Sequence, residues 1–223
     1  MSYMQCATDI ATLPVFSGEK SDDLRSHYFF TADEITSFHH LLGKPYDHFI
    51  EMREYAHLSE IMAFIGQQHP HTSMSILTQT AFRQPAAELF TLHLANKRAI
   101  AAETLSDIKT CLQEAVMNAI IHGNLVIDRG SNEISSFQQY LDQVSLRIQD
   151  AFLGLKRISM FAWFTDESVT ICVSDQGKGF DIQPRIFDSA APYGRGLPLI
   201  HCLASHVWQT RANNIYMQFP LHA

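Results

Sequence analysis

The chain has 223 residues, enough for one large domain or a medium domain with an appendage, and its 46% hydrophobic content supplies an ordinary core. Lys and Arg number 16 against 23 Asp and Glu, a formal net charge of −7 with no basic run longer than two, which excludes a phosphate-backbone binder and so nucleic acid as a partner. The amino terminus has no basic segment followed by an apolar run, and no stretch approaches about 18 consecutive apolar residues, so no leader and no membrane span are expected and the location is cytoplasmic.

Residues 1–71 contain Leu13-Pro-Val-Phe, the aromatic run His27-Tyr-Phe-Phe and a helical pattern from Tyr46 to Gly66. Their apolar content argues against disorder. They read either as a small regulatory region or as a packed extension of the following unit. Cys6, Cys111, Cys172 and Cys202 are far apart in apolar contexts without CxxC spacing, the pattern of reduced, buried thiols. The pairs His39-His40 and His69-Pro70-His71 lack accompanying Cys or carboxylate ligands and read as surface histidines.

Residues 72–223 read as one α/β unit. Thr72 to Phe82 alternates as a strand does, and Pro85 opens a helix with the proline in its first turn. A second helix is predicted from about Ser106 to His122, with Leu105, Ile108, Leu112, Ala115, Val116, Ala119 and Ile120 on one face. Glu114, Asn118 and His122 are successive i+4 neighbours on the border of that face. Residues 131–155 form a third, extra helical pattern, with Ser131 available as its N-cap. Two strands follow, Arg157 to Phe164 and Ser168 to Ser174, joined as a hairpin by Thr165-Asp166-Glu167. The second delivers Asp175 to a turn made permissive by Gly177 and Gly179. A loop over 181–193, expected to be the most mobile part of the core, leads to Gly194. A helix runs from Leu197 to about Ala204, and strands over Val207–Arg211 and Asn214–Pro220 close the unit.

Three segments carry the chemistry: EAVMNAIIHG at 114–123, DQGKGF at 175–180 and GRGL at 194–197. Each is common alone. In this order, on a helix, after a strand and before a helix, they point to an ATP site. Asp175 can accept from the adenine amino group, and Gly177 and Gly179 let the backbone approach the base and ribose. Gly194 and Gly196 precede a helix whose first amides and dipole favour phosphate. The Asn118 carbonyl oxygen suits Mg²⁺, which prefers hard oxygen ligands. Glu114, one turn earlier, can take a proton from an attacking hydroxyl. His122 is open between a phosphate neighbour and a helix C-terminal residue. Phe180, Arg195 and Leu197 complete the nucleotide-contacting set.

CLQEAVMNAIIHGN, SDQGKGFD and GRGLPLIHCL resemble the N box and the two glycine boxes of the gyrase and histidine-kinase ATPase superfamily. The EAxxNAxxHG form is similar to the anti-sigma-factor serine/threonine kinases. The resemblance covers about residue 72 to the end. It implies an α/β fold, an α+β two-layer sandwich with helices on one face of a mixed, mostly antiparallel sheet and ATP between helices and lid. It also implies Glu114 as base, Asn118 as Mg²⁺ ligand and Asp175 as adenine contact. The implied partners are an anti-sigma-antagonist (STAS-type) protein, a sigma factor, or both, and the family's frequent dimers leave a homodimer open. A lid arginine before GxG is not obvious, since Ala191-Pro192-Tyr193 stands there, with Arg185 and Arg195 as substitutes. The implied function is phosphorylation of the antagonist. The alternatives are a nucleotide-gated module that sequesters a regulator and the catalytic domain of a histidine kinase.

Overall fold

The computed structural model describes residues 27–31, 45–53, 58–127, 136–179 and 196–222. Strands β1 (His27–Phe30), β2 (His48–Glu51), β3 (Thr72–Leu77), β4 (Arg157–Phe164), β5 (Ser168–Asp175), β6 (His206–Trp208) and β7 (Asn214–Pro220) form one open sheet in the order β1-β2-β3-β4-β5-β7-β6. β1, β2 and β3 pair in parallel, and the other four neighbouring pairs are antiparallel. The sheet is therefore mixed and mostly antiparallel, as the resemblance implied.

Alternation along the strands sorts the side chains onto two faces. Met74 and Ile76 of β3, Ile158 and Met160 of β4, Ile171 and Val173 of β5 and Ile215 and Met217 of β7 are buried in the larger core. Helices α3 (Ala86–Lys97), α4 (Ala102–Asn118) and α6 (Gly196–Leu203) contribute Phe90, Leu94, Ile108, Leu112 and Ile200 to it. These residues recur at helical spacing, so one stripe of each helix is spent on the sheet. On the other face a smaller cluster joins Ile50, Phe161 and Cys172 to Ile65 of α1 (Leu58–Gln68). There Phe64 meets the Phe161 ring edge-on at 5.6 Å, and Trp163 Nε1 donates to the Gln68 carbonyl at 3.1 Å.

Several boundaries differ from the sequence reading. β3 stops at Leu77 rather than Phe82, because the chain turns directly into α2 (Thr78–Arg83). The buried Glu51 carboxylate makes that switch, accepting from Leu77 N–H at 2.7 Å and from the Thr80 hydroxyl at 2.6 Å and so satisfying donors at a helix start. The Tyr46–Gly66 segment holds β2 and α1 instead of one helix. Phe49 and Ile50 take opposite faces of the sheet, which only an extended chain allows.

α4 begins at Ala102, four residues before Ser106, and Ala101 N–H donates to the Leu221 carbonyl at 3.0 Å. The extra helix α5 covers Phe137–Gln149, with the Ser136 hydroxyl accepting from Gln139 N–H. Ser131 lies outside the described residues. Asp150 ends α5 by accepting from the amides of Phe152 and Leu153, so Phe152 falls in a turn and is 76% exposed. β6 ends at Trp208 because Asn214 Oδ1 accepts from the amides of Thr210 and Arg211 and curls the chain. Cys111 and Cys172 are buried free thiols, both pushed up to about 12 by desolvation, whereas Cys202 is exposed. Cys6, His39, His40 and the 181–193 loop lie outside the described residues. No helix among the described residues is long and apolar enough to cross a membrane.

Phe161 joins α1 to the sheet and is 1% exposed. Phe161→Ala is expected to lower the unfolding free energy by about 3 kcal/mol or more through lost burial and a residual cavity, read from urea titrations. Phe152→Ser, at an exposed turn, is expected to change it by less than about 0.5 kcal/mol.

Candidate functional site

The apolar stripe of α4 leaves Glu114 and Asn118 half-exposed on its border. They sit one turn apart, about 6 Å along the axis at a rise of about 1.5 Å per residue. Neither side chain has a hydrogen-bond or ion-pair partner among the described residues. After Asn118 the helix widens into a π-turn, Ala119–Asn124, in which Leu125 N–H reaches back to the Ile120 carbonyl at 2.9 Å. The wider turn breaks the four-residue step of the preceding helix. His122 is consequently exposed, with Nδ1 at 2.8 Å from the Ile127 carbonyl. Val126 follows with φ of 55°, a costly conformation for a β-branched residue, and Arg147 Nη1 of α5 donates to both the Leu125 and Val126 carbonyls at 2.7 Å.

The π-turn ends on Asn124, which is fully buried. Its Oδ1 accepts from Gln176 N–H at 2.9 Å, and its Nδ2 donates to the Thr78 hydroxyl at 2.7 Å and the Arg157 carbonyl at 3.0 Å. One side chain thus ties α4 to α2, to the start of β4 and to the turn after β5. The sequence reading quoted Asn124 at the end of CLQEAVMNAIIHGN but gave it no role. Its position directly after Gly123 was the available signal.

Asp175 closes β5 and is 4% exposed. Its Oδ1 accepts from Gly177 N–H at 2.7 Å, and Oδ2 accepts no hydrogen bond among the described residues. Burial raises its pKa from 3.8 to about 6, against the Gly177 amide and the Lys156 charge, which pull it down. The carboxylate lies against Gly123, where an added Cβ would come within 2.5 Å of the Asp175 carboxyl carbon. A side chain on Gly177 would in turn collide with the Gly123 backbone, so the π-turn and the Asp175 turn approach as closely as two glycines permit. Gly179 has φ of 83°, in the left-handed region, and packs on the Ala212 backbone. Asn213 completes the turn, its Nδ2 donating to the Asp175 carbonyl at 2.7 Å.

One turn back along α4, Gly196 opens α6 against Glu114. A side chain there would collide with the carboxylate. Leu197 is half-buried and packs on the core. Glu114, Asn118, Asp175, Gly177, Gly196 and Leu197 are thereby brought onto or against α4 and its π-turn, on which His122 is exposed with its Nδ1 beside the Ile127 carbonyl. Phe180, Gly194 and Arg195 lie outside the described residues. The arrangement offers an acceptor in a largely buried recess at one end, a carboxylate and a carboxamide along the helix that have no partner among the described residues, and a helix start beside the carboxylate.

Residues 78–219 match the family described as Histidine kinase-like ATPase domain. The matched span runs from α2 to β7 and takes in α4, the Asp175 turn and α6, leaving out β1, β2, α1 and β3. No curated protein matches the chain.

Between pH 4 and 6 the folded chain keeps a proton on Asp175 that the unfolded chain has released. The raised pKa therefore contributes stability that is complete below about 3.8 and is lost as pH rises through about 6. Urea unfolding across this range is expected to show that decline, and Asp175→Asn is expected to remove its share, leaving the decline of the same sign that the raised Glu51 adds. Asn124→Ala, which orphans the Gln176 amide and two further partners, is expected to cost about 2–4 kcal/mol, read in the same titrations.

Proposed function

The chain belongs to the histidine kinase-like ATPase domain family, and from that premise we propose that it is a protein serine/threonine kinase of the anti-sigma-factor type. ATP binding in a regulatory role follows from the family itself. The finer reading rests on one observation: Glu114, which has no hydrogen-bond or ion-pair partner among the described residues, stands against Gly196 at the start of α6.

In this reading Asp175 accepts from the adenine amino group through Oδ2, with Oδ1 held by Gly177. The low-dielectric surroundings strengthen such a bond and discriminate against a base that offers an acceptor in its place. Gly177 and Gly179 bring backbone to the base and ribose, and Gly194, Arg195 and Gly196 belong to the phosphate side. Mg²⁺ fits the donors present: the Asn118 carboxamide oxygen is free among the described residues, and this ion is ordinarily held by one or two protein oxygens with phosphate oxygens and water. When bound it supplies charge neutralisation at the phosphates.

Glu114 then takes the proton from a Ser or Thr hydroxyl of the substrate protein, here an anti-sigma-antagonist of STAS type. A sigma factor is the second expected partner, and a homodimer suits the family. A cytoplasmic setting is consistent with such partners.

Glu114→Ala is expected to keep ATP affinity and to lower phosphoryl transfer about a hundredfold or more, measured with radiolabelled ATP and the antagonist. Asp175→Ala is expected to weaken ATP binding by about ten- to a hundredfold, the loss of one charge-assisted hydrogen bond, by calorimetry. Unchanged transfer by Glu114→Ala would sink the assignment of the base. ATP binding without transfer to any antagonist would instead identify a nucleotide-gated binding module, and phosphohistidine on the chain itself a histidine kinase.

A further inference from the structure

The face of the sheet opposite α3, α4 and α6 carries short side chains where strands usually carry bulky ones. Ser75 pairs with Ser159, Ser159 with Ser174, and Ser174 with Asn214, so four small polar residues stand in one row across β3, β4, β5 and β7. At about 4.8 Å per strand the row is about 14 Å long. Phe161, Cys172 and Tyr216 form the next row on the same face, with Phe64 of α1 rising above them. On the opposite side stand Arg157 and Gln176, with Lys156 and Arg211 at the rim. The low floor between these walls is a cleft of about 1100 Å³, the size of a small-molecule site.

Arg157 is its most informative member. Its Nε donates to Ser75 Oγ at 2.9 Å, and its Nη2 donates to the Ser75 and Glu51 carbonyls at 2.7 and 3.0 Å. Its Nη1 donates to nothing among the described residues. The nearest carboxylate, Glu51, spends its two oxygens on Leu77 N–H and the Thr80 hydroxyl. Desolvation lowers the guanidinium to about 10, with Glu51 opposing. A half-buried cation held by carbonyls, with Nη1 unengaged among the described residues, offers a charged donor in fixed orientation to an anion entering the cleft. Around the cleft Arg53, Lys156, Arg157 and Arg211 outnumber Glu51, Glu60 and Asp175, in a chain whose net charge is −7.

We propose that this cleft binds a small organic anion, its flat ring over the half-exposed Ser174 and Tyr216 and its carboxylate or phosphate at Arg157 Nη1. The Ser174 hydroxyl and the Tyr216 ring give the ring a polar edge and an apolar one. This site lies on the opposite face from Glu114 and Asn118 and adjoins the nucleotide site at the end of β5, where Asp175 and Gln176 also line the cleft; the anion contact at Arg157 does not rest on the role read for Glu114.

The test is amide NMR on the full chain without nucleotide, titrated with benzoate, phenyl phosphate and neutral benzamide. Benzoate or phenyl phosphate is expected to shift the Ser159, Ser174 and Tyr216 amides, with the tighter of the two distinguishing a carboxylate from a phosphate ligand. Benzamide is expected to bind at least about tenfold more weakly, the worth of a charge-assisted hydrogen bond. Arg157→Gln is expected to lose the same factor. Because that variant also frees two carbonyls, Ser174→Phe, which fills the row and leaves Arg157 in place, is the second arm and is expected to abolish the shifts in a folded protein. Benzamide binding as tightly as benzoate, unchanged binding by Ser174→Phe, or shifts confined to the α4 amides or absent altogether would each overturn the proposal.

Discussion

The arrangement depends on the buried side chain of Asn124. Its three hydrogen bonds join α4, α2, β4 and the turn after β5, elements that lie far apart along the chain. An amide can do this because it carries two donors and an acceptor in one plane. A shorter or apolar residue would leave the Gln176 amide without this partner. The close approach of Gly123 and Gly177 follows from the same clamp. Once Asn124 draws the turn down, only residues without Cβ fit between the π-turn and the Asp175 carboxylate.

Two carboxylates show how burial is put to different ends. Glu51 is raised by desolvation but has both oxygens occupied by donors at the start of α2, so its cost is offset locally and it serves the fold. Asp175 is raised for the same reason, and its Oδ2 accepts no hydrogen bond among the described residues. A largely buried carboxylate with a raised pKa is met at binding sites more than in cores. The left-handed Val126 adds strain at the same place. Arg147 of α5 holds the carbonyls on both sides of it, which gives the extra helix a structural duty beside the site.

Much of this was readable from residues. The hairpin β4–β5 was marked by a three-residue gap between alternating runs. Asp175 was marked by its place at a strand end before two glycines, and Glu114 and Asn118 by their spacing on an apolar stripe. What was not readable depended on contacts distant in sequence. The end of β3 is set by Glu51, 26 residues earlier, while the local run Thr72 to Phe82 holds no Gly or Pro to mark a break. β2 is only four residues long, and its neighbours on both sides, not its own spacing, make it extended. His122 fits an i+4 series from Glu114, yet the inserted π residue is invisible in composition and takes it out of the series.

The turn after β5 also explains why the two faces of the sheet cannot be treated as separate designs. Consecutive residues of a strand point to opposite faces, so Ser174 lines the rear row while Asp175 faces α4. Gln176 then bonds both ways, its amide to Asn124 Oδ1 on one side and its Oε1 to Arg157 N–H on the other. Arg157 in turn gives its carbonyl to Asn124 and its guanidinium to the rear cleft. The backbone that sets the Asp175 carboxylate is therefore the backbone that sets Arg157. A substitution chosen to alter one of them moves hydrogen-bond partners of the other, because at this end of the sheet the buried donors and acceptors form one connected set.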